Sequence, residues 1–180
     1  MTVHILAISG SLRSGSSNSA IVHAATMCAP DNCIVTVYDE LSVLPPFNPD
    51  TDIEPFPDAV VRWRNALHRT SAVLISSPEY AHGVPGVLKN ALDWVVGTGE
   101  FMEKPVVLVN ASSYSQFVTA QLQETLTVMM GHVVLATSLP LTGRPSTADD
   151  ILQQPDATRA LRSALDALVH ATHSAAVRAL

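Results

Sequence analysis

The sequence predicts an α/β fold, a doubly wound five-stranded parallel sheet in the order 2-1-3-4-5 with helices on both faces. Three observations carry that expectation. Short apolar runs alternate with segments of helical composition along the whole length. The runs at 3–9, 72–76 and 106–109 are apolar almost throughout, as strands covered on both faces are. Polar loops follow the first, third and fourth runs, which a parallel sheet brings to one end. At 180 residues the chain reads as one domain, 1–180, large enough to bury a core.

Composition narrows the function classes. Apolar residues make up 47% and charged residues 14%, which suits a packed protein rather than a disordered one. The net charge of −6 and only two lysines exclude an extended nucleic-acid groove. One phosphate site remains open, since it needs an arginine and a helix amino end, not a basic surface. The amino-terminal residues lack a basic n-region, and no apolar run reaches membrane length, so no membrane association and a cytoplasmic location are expected. Cys28 and Cys33 form no C-x-x-C pair and are expected reduced and buried.

Residues 3–9 form the first expected strand. It runs into Gly10-Ser11-Leu12-Arg13-Ser14-Gly15-Ser16-Ser17-Asn18 and then a helix over 20–27. Ser11, Ser16, Ser17 and Asn18 offer short donors, Arg13 a positive fork, and the helix amino end oriented N–H groups. This is neither a Walker A loop nor G-x-G-x-x-G. A capped helix start would account for Ser17 or Asn18 alone, but not for Arg13 and so many hydroxyls. A second strand follows at 33–38, nearer a sheet edge. Residues 39–57, rich in proline and acid, should be an irregular excursion. A helix is expected over 58–69, with Arg62, Arg64 and Arg69 on a solvated face.

The third strand, 72–76, leads into Pro78-Glu79-Tyr80-Ala81-His82-Gly83 and a helix from about residue 87. Glu79, Tyr80 and His82 supply an acceptor, an aromatic face and a titratable ring, while Gly83 and Gly86 let the backbone approach a ligand. A fourth strand at 104–110 ends in the loop Ala111-Ser112-Ser113-Tyr114-Ser115. Then come a helix over 116–130, a fifth strand at 132–136, a loop over 137–155 and a long amphipathic helix over 156–180. His170 and His173 have no third ligand nearby in sequence, so no metal is expected. In the order 2-1-3-4-5 the crossovers leave the first and third strands to opposite sides and open a crevice. The three polar loops converge there.

The residues of two of these loops carry a resemblance. G-S-L-R-S-G-S-S-N resembles the G-S-L-R-x-x-S-x-N phosphate loop of the NAD(P)H-dependent FMN reductase family. P-E-Y-A-H-G-V-P-G-V-L-K-N-A-L-D-W resembles that family's P-E-Y-N-x-S-x-P-G-x-L-K-N-A-x-D-W segment. The resemblance implies a flavodoxin-like fold, FMN as cofactor, and NADPH or NADH as electron donor. It also implies a small-molecule acceptor (flavin, quinone, azo compound or metal oxyanion) and a homodimer or homotetramer. By position, Ser11, Arg13, Ser16 and Asn18 would hold the FMN phosphate with help from Ser17. Pro78, Glu79, Tyr80, Ala81, His82 and Gly83 would lie along the isoalloxazine ring. The chain departs from the family at Ala81, where many members have Asn, and at Gly83, where many have Ser. Ser112, Ser113 and Tyr114 replace a glycine-rich turn, and Tyr114 is expected either to stack near the flavin or to narrow its pocket.

The implied mechanism is two half-reactions, with FMN accepting a hydride from the nicotinamide and passing it to the acceptor. No side chain need act as acid or base. His82 and then Tyr80 are the candidates for such a role, and ring contact is the favoured role for His82. Lys89, Asn90 and Asp93 are expected to lock the helix to its surroundings. Residues 45–57 and the helix carrying Trp94 are the expected contact surface between copies. The rival readings are a flavodoxin-type FMN electron carrier and a flavin-free regulatory or interaction protein that keeps the fold.

Overall fold

The apolar runs build one parallel sheet. In the computed structural model, which describes residues 2–178 with side chains to 175, the strands are β1 (Val3–Ser9), β2 (Cys33–Tyr38), β3 (Ala72–Ser76), β4 (Pro105–Asn110) and β5 (His132–Ser138). Their order is β2-β1-β3-β4-β5, as the sequence predicts. The helices are α1 (Ser17–Met27), α2 (Asp58–His68), α3 (Gly86–Asp93), α4 (Gln116–Val128), α5 (Ala148–Leu152) and α6 (Pro155–Arg178). Residues 179–180, expected to end the last helix, lie outside the described ones.

Period-two alternation sorts the strand residues into two cores. Val3, Ile5, Ala7, Ala72, Leu74, Val107 and Val109 pack under α1 and α6. Leu6, Ile8, Val73, Ile75, Val106 and Leu108 face α2, α3 and α4. Covered on both faces, β3 and β4 are buried at every residue, which is why their sequences read as unbroken apolar runs. β2 and β5 are the edges and are partly exposed.

Several expectations need correcting. α1 starts at Ser17, three residues earlier than expected, because Ser and Asn are tolerated in a first turn that needs no side-chain partners. β5 continues to Ser138, pairing with Asn110 at the end of β4. The loop over 137–155 contains α5, whose start is fixed by a reciprocal capping box between Thr147 and Asp150. Arg64 is not on a solvated face. Its guanidinium bonds Asp52 Oδ1 at 2.7 Å and Trp94 O at 2.7 Å, and lies over the Phe56 ring.

Trp94 is also misplaced in the expected contact surface, since it is 0% exposed inside the chain. Its indole N–H donates to Pro45 O at 2.8 Å, and Phe47 packs edge-on against it at 5.1 Å. Asn90 completes the attachment, accepting from Phe47 N at 2.7 Å and donating to Pro45 O at 2.9 Å. Lys89 and Asp93 pair one turn apart at 2.6 Å. The segment after β2, with two short 3-10 turns at Leu41–Val43 and Pro49–Thr51, is thus strapped to α3 within one chain.

Candidate functional site

The loop after β1 is built around donors that the chain leaves unused. Ser16 occupies the N-cap position of α1 but makes no side-chain capping bond, and the first turn carries no acidic residue. Among the described residues, nothing accepts from the amides of Ser16, Ser17 or Asn18. Ser11 and Ser16 are buried beside them. Arg13 is held in the same loop, its guanidinium donating to Gly15 O at 3.0 Å and its amide to Ser11 Oγ at 3.3 Å. Gly15 has φ +66°, a conformation that suits glycine and turns the carbonyl toward that arginine. Free amides at a helix start, short hydroxyls, one arginine and no carboxylate in the loop form a donor set that fits a phosphate group.

Two of the expected site residues also tie the framework together. Asn18 is buried and its Oδ1 accepts from Ser76 Oγ at 3.0 Å, which ties α1 to the end of β3. The Ser17 hydroxyl donates to Pro145 O at 2.6 Å and fastens the loop after β5 over the start of α1. Sequence reasoning passed over 143–146. The available signal was that every strand-end loop of a parallel sheet reaches the same end of the molecule.

β1 and β3 meet closely at the floor of the crevice. Gly10 N donates to Ser76 O at 2.8 Å, and a Cβ on Gly10 would come within 2.7 Å of Ser77 Oγ. From there Pro78 and Glu79 lead into a tight turn. Tyr80 and Gly83 exchange backbone bonds at 3.1 and 2.9 Å, and Ala81 and His82 both have positive φ, +49° and +58°. That is the φ signature of a type I′ turn, in which Asn or Gly is the usual occupant. Among the described residues, nothing accepts from the amides of Ala81 and His82 at its tip. A side chain at position 83 would meet only ordinary contacts, so Gly83 is not required by the backbone there.

α4 holds this turn from the side. Glu79 accepts from the amides of Phe117 at 2.9 Å and Val118 at 3.1 Å. Gln121 donates to His82 O at 2.9 Å and accepts from Val84 N at 3.2 Å. His82 stacks on Phe117 with ring centroids 4.1 Å apart and 18° between planes. Glu79, expected along a bound ring, therefore faces α4. Tyr80 is half-exposed at the rim. Phe117 and Gln121 were not singled out in the sequence, because their partners lie nearly forty residues away.

The loop after β4 is more open. Ser112 Oγ accepts from Tyr114 N at 3.2 Å, and Tyr114 is 86% exposed, without a stacking partner among the described residues. Ser112 and Ser113 line a cleft of about 410 Å³ with Asn110, Thr119 and Ser138. A second cavity of about 370 Å³ lies on the other flank, lined by Ser11, Arg13, His23, Asp39 and Ser42. The structure thus brings the first and third loops together directly, and joins the third to the start of α4. No group of three or more potential metal ligands occurs among the described residues, and none of their helices is long and apolar enough to cross a membrane.

Known proteins resemble the chain in sequence and fold. The chain is 40% identical over 123 residues to an NAD(P)H-dependent FMN reductase of Pseudomonas aeruginosa, covering 67% of this chain and 65% of that protein. It is 34% identical over 111 residues to a quinone reductase of Pseudomonas putida, covering 60% and 59%. In both, the match spans less than two-thirds of the relative's length. The flavoenzyme NAD(P)H:(acceptor) oxidoreductase FerB from Paracoccus denitrificans superposes with a TM-score of 0.80 at 24% identity, covering 96% of this chain and 98% of that one, which shows the flavodoxin-like fold. The model of a family described as NADPH-dependent FMN reductase matches residues 3–144, from β1 to the loop after β5, and the chain belongs to that family.

Proposed function

We propose that the chain is an NAD(P)H-dependent, FMN-binding oxidoreductase that reduces a small-molecule acceptor. The observation that supports this most is the unused donor set at the start of α1, opening onto the crevice beside the turn after β3. Ser11, Arg13, Ser16 and the amides of Ser17 and Asn18 would hold the phosphate. Tyr80, Ala81 and His82 would flank the ring, with the free turn amides as donors. When bound, FMN supplies the two-electron chemistry, taking hydride from NAD(P)H and giving it to the acceptor. The protein's share is orientation and exclusion of water. We assign His82 a contact role, since its ring is stacked on Phe117 and its carbonyl is held by Gln121.

Quinones are the first acceptors to try, given the relative named a quinone reductase. The reading includes a cytoplasmic homodimer or homotetramer. Leu12, Tyr80 and Phe117, exposed at the rim, are the apolar side chains that such an assembly would cover.

The test is an absorbance spectrum after incubation with FMN and desalting, followed by anaerobic NADPH and then NADH. Retained flavin that bleaches with a nicotinamide supports the reductase. Retained flavin that stays yellow moves the reading to an electron carrier. If no flavin is retained and excess FMN does not stimulate NADPH oxidation, the proposal fails. Arg13→Ala should weaken FMN binding by about tenfold or more, the loss of one charge-assisted contact, without unfolding the protein. Unchanged affinity by fluorescence titration would contradict the phosphate assignment.

A further inference from the structure

We propose that Glu79 is a positioning residue which, with Gln121, braces the turn at 80–83 against α4 and so sets the ring side of the site. This rests on the reading above that the turn flanks the flavin. The amino end of α4 lacks the usual local cap, because Ser115 makes no side-chain capping bond and the first turn has no acidic residue. Its Phe117 and Val118 amides are instead taken by one carboxylate oxygen from 38 and 39 residues earlier in the chain. A negative carboxylate against a helix amino end is also favoured by the helix dipole. The cap thus doubles as a tether between the loop after β3 and α4.

The turn needs such a tether. Ala81 and His82 are both left-handed, which L-residues with a Cβ disfavour, and among the described residues the turn's own hydrogen bonds are the two between Tyr80 and Gly83. Among the described residues, the side-chain bonds and the ring contact that hold it come from one face of α4. Phe117 stacks on His82, and Gln121, one turn further along, engages His82 O and Val84 N. Positions 117, 118 and 121 lie together on a helix surface, so a small shift of α4 moves the whole turn. Glu79 fixes where that face begins.

Two measurements test the brace. Amide hydrogen exchange at Phe117 and Val118 is read in flavin-free protein, and riboflavin and FMN binding are read by flavin fluorescence. Glu79→Ala should speed exchange at both amides about tenfold and weaken riboflavin and FMN by the same factor, about tenfold, as loss of a helix cap allows. Glu79→Gln retains an acceptor and should recover most of both. Arg13→Ala, by contrast, should weaken FMN but not riboflavin. Wild-type exchange together with wild-type riboflavin affinity in Glu79→Ala would overturn the brace. If Glu79→Ala does not fold, Gln121→Ala replaces it, and unchanged exchange at Val84 with unchanged riboflavin binding overturns the proposal equally. Should wild-type protein take up neither flavin, the FMN reading fails, and exchange alone decides whether Glu79 is the cap.

Discussion

Ala81 and His82 show how much a single side chain can leave unoptimised. A left-handed L-residue costs roughly 1–2 kcal/mol, less for Asn, whose short polar group bonds locally. Ala81→Asn should therefore stabilise the protein by about 0.5–1 kcal/mol, seen as a higher urea midpoint at unchanged slope. A lower midpoint would mean that the Ala81 methyl makes a contact worth more than the turn strain. At this scale the sequence was partly legible. Arg13, Ser11 and Ser16 were legible as members of one loop at the start of α1 because that loop is a local pattern of nine consecutive residues. The long-range attachments of Glu79, Ser17 and Asn18 were not legible, because each partner lies far along the chain: Phe117 and Val118, Pro145, and Ser76. Residue type alone shows that a hydroxyl or carboxylate can bond, not which of several nearby groups it meets.

Among the elements, α3 and the strap at 45–47 form a unit. Trp94→Ala should cost about 3–5 kcal/mol, the usual range for emptying a buried aromatic site, and should leave Pro45 O with Asn90 as its remaining donor. Chemical denaturation at several protein concentrations checks this. A loss independent of concentration places Trp94 within the subunit, whereas a loss that vanishes at high concentration would restore it to a contact between copies. The strands were the most legible elements, since Val73–Ile75 and Val106–Val109 are apolar at every position and only a doubly covered strand needs that. The end of β5 was harder to read. Thr137 and Ser138 are poor evidence of a strand in sequence, yet the bulge at Val134 brings Ser138 level with Asn110 and extends the ladder. α5 escaped because five residues are too few to show a helical period.

For the whole molecule, the two cores bury groups whose ionisation then opposes folding. Burial, with a lesser contribution from the Asp166 charge, pushes the Cys33 thiol up to about 11. Burial and the nearby Glu40 carboxylate push the Tyr38 hydroxyl up to about 12, against the opposing pull of Arg62. Both groups are uncharged in the native protein, and the unfolded chain releases their protons first, from ordinary values of 9.0 and 10.0. Their contribution is complete below pH 9.0 and is lost as pH rises to about 11 for Cys33 and about 12 for Tyr38. Urea midpoints should fall across that window, and Cys33→Ala should flatten the fall's lower half; an unaltered profile would remove Cys33 as a cause. The overall architecture was legible because alternating apolar runs and helices admit few topologies, whereas the strap and the loop after β5 depend on proline-rich and polar stretches with no period to read. The parallel sheet also divides labour between its two ends. At the amino ends of the strands the turns close through main-chain bonds, Val3 to Asn32, Ser71 to His4 and His132 to Lys104. At the carboxyl ends main-chain bonds such as Gly10 to Ser76 are joined by long-range bonds from the side chains of Ser17, Glu79 and Gln121. Variation over evolutionary time can thus retune chemistry at one pole while the opposite pole, whose main-chain bonds are indifferent to residue identity and which the Lys104 ammonium reinforces, preserves the architecture on which each new variant is tried.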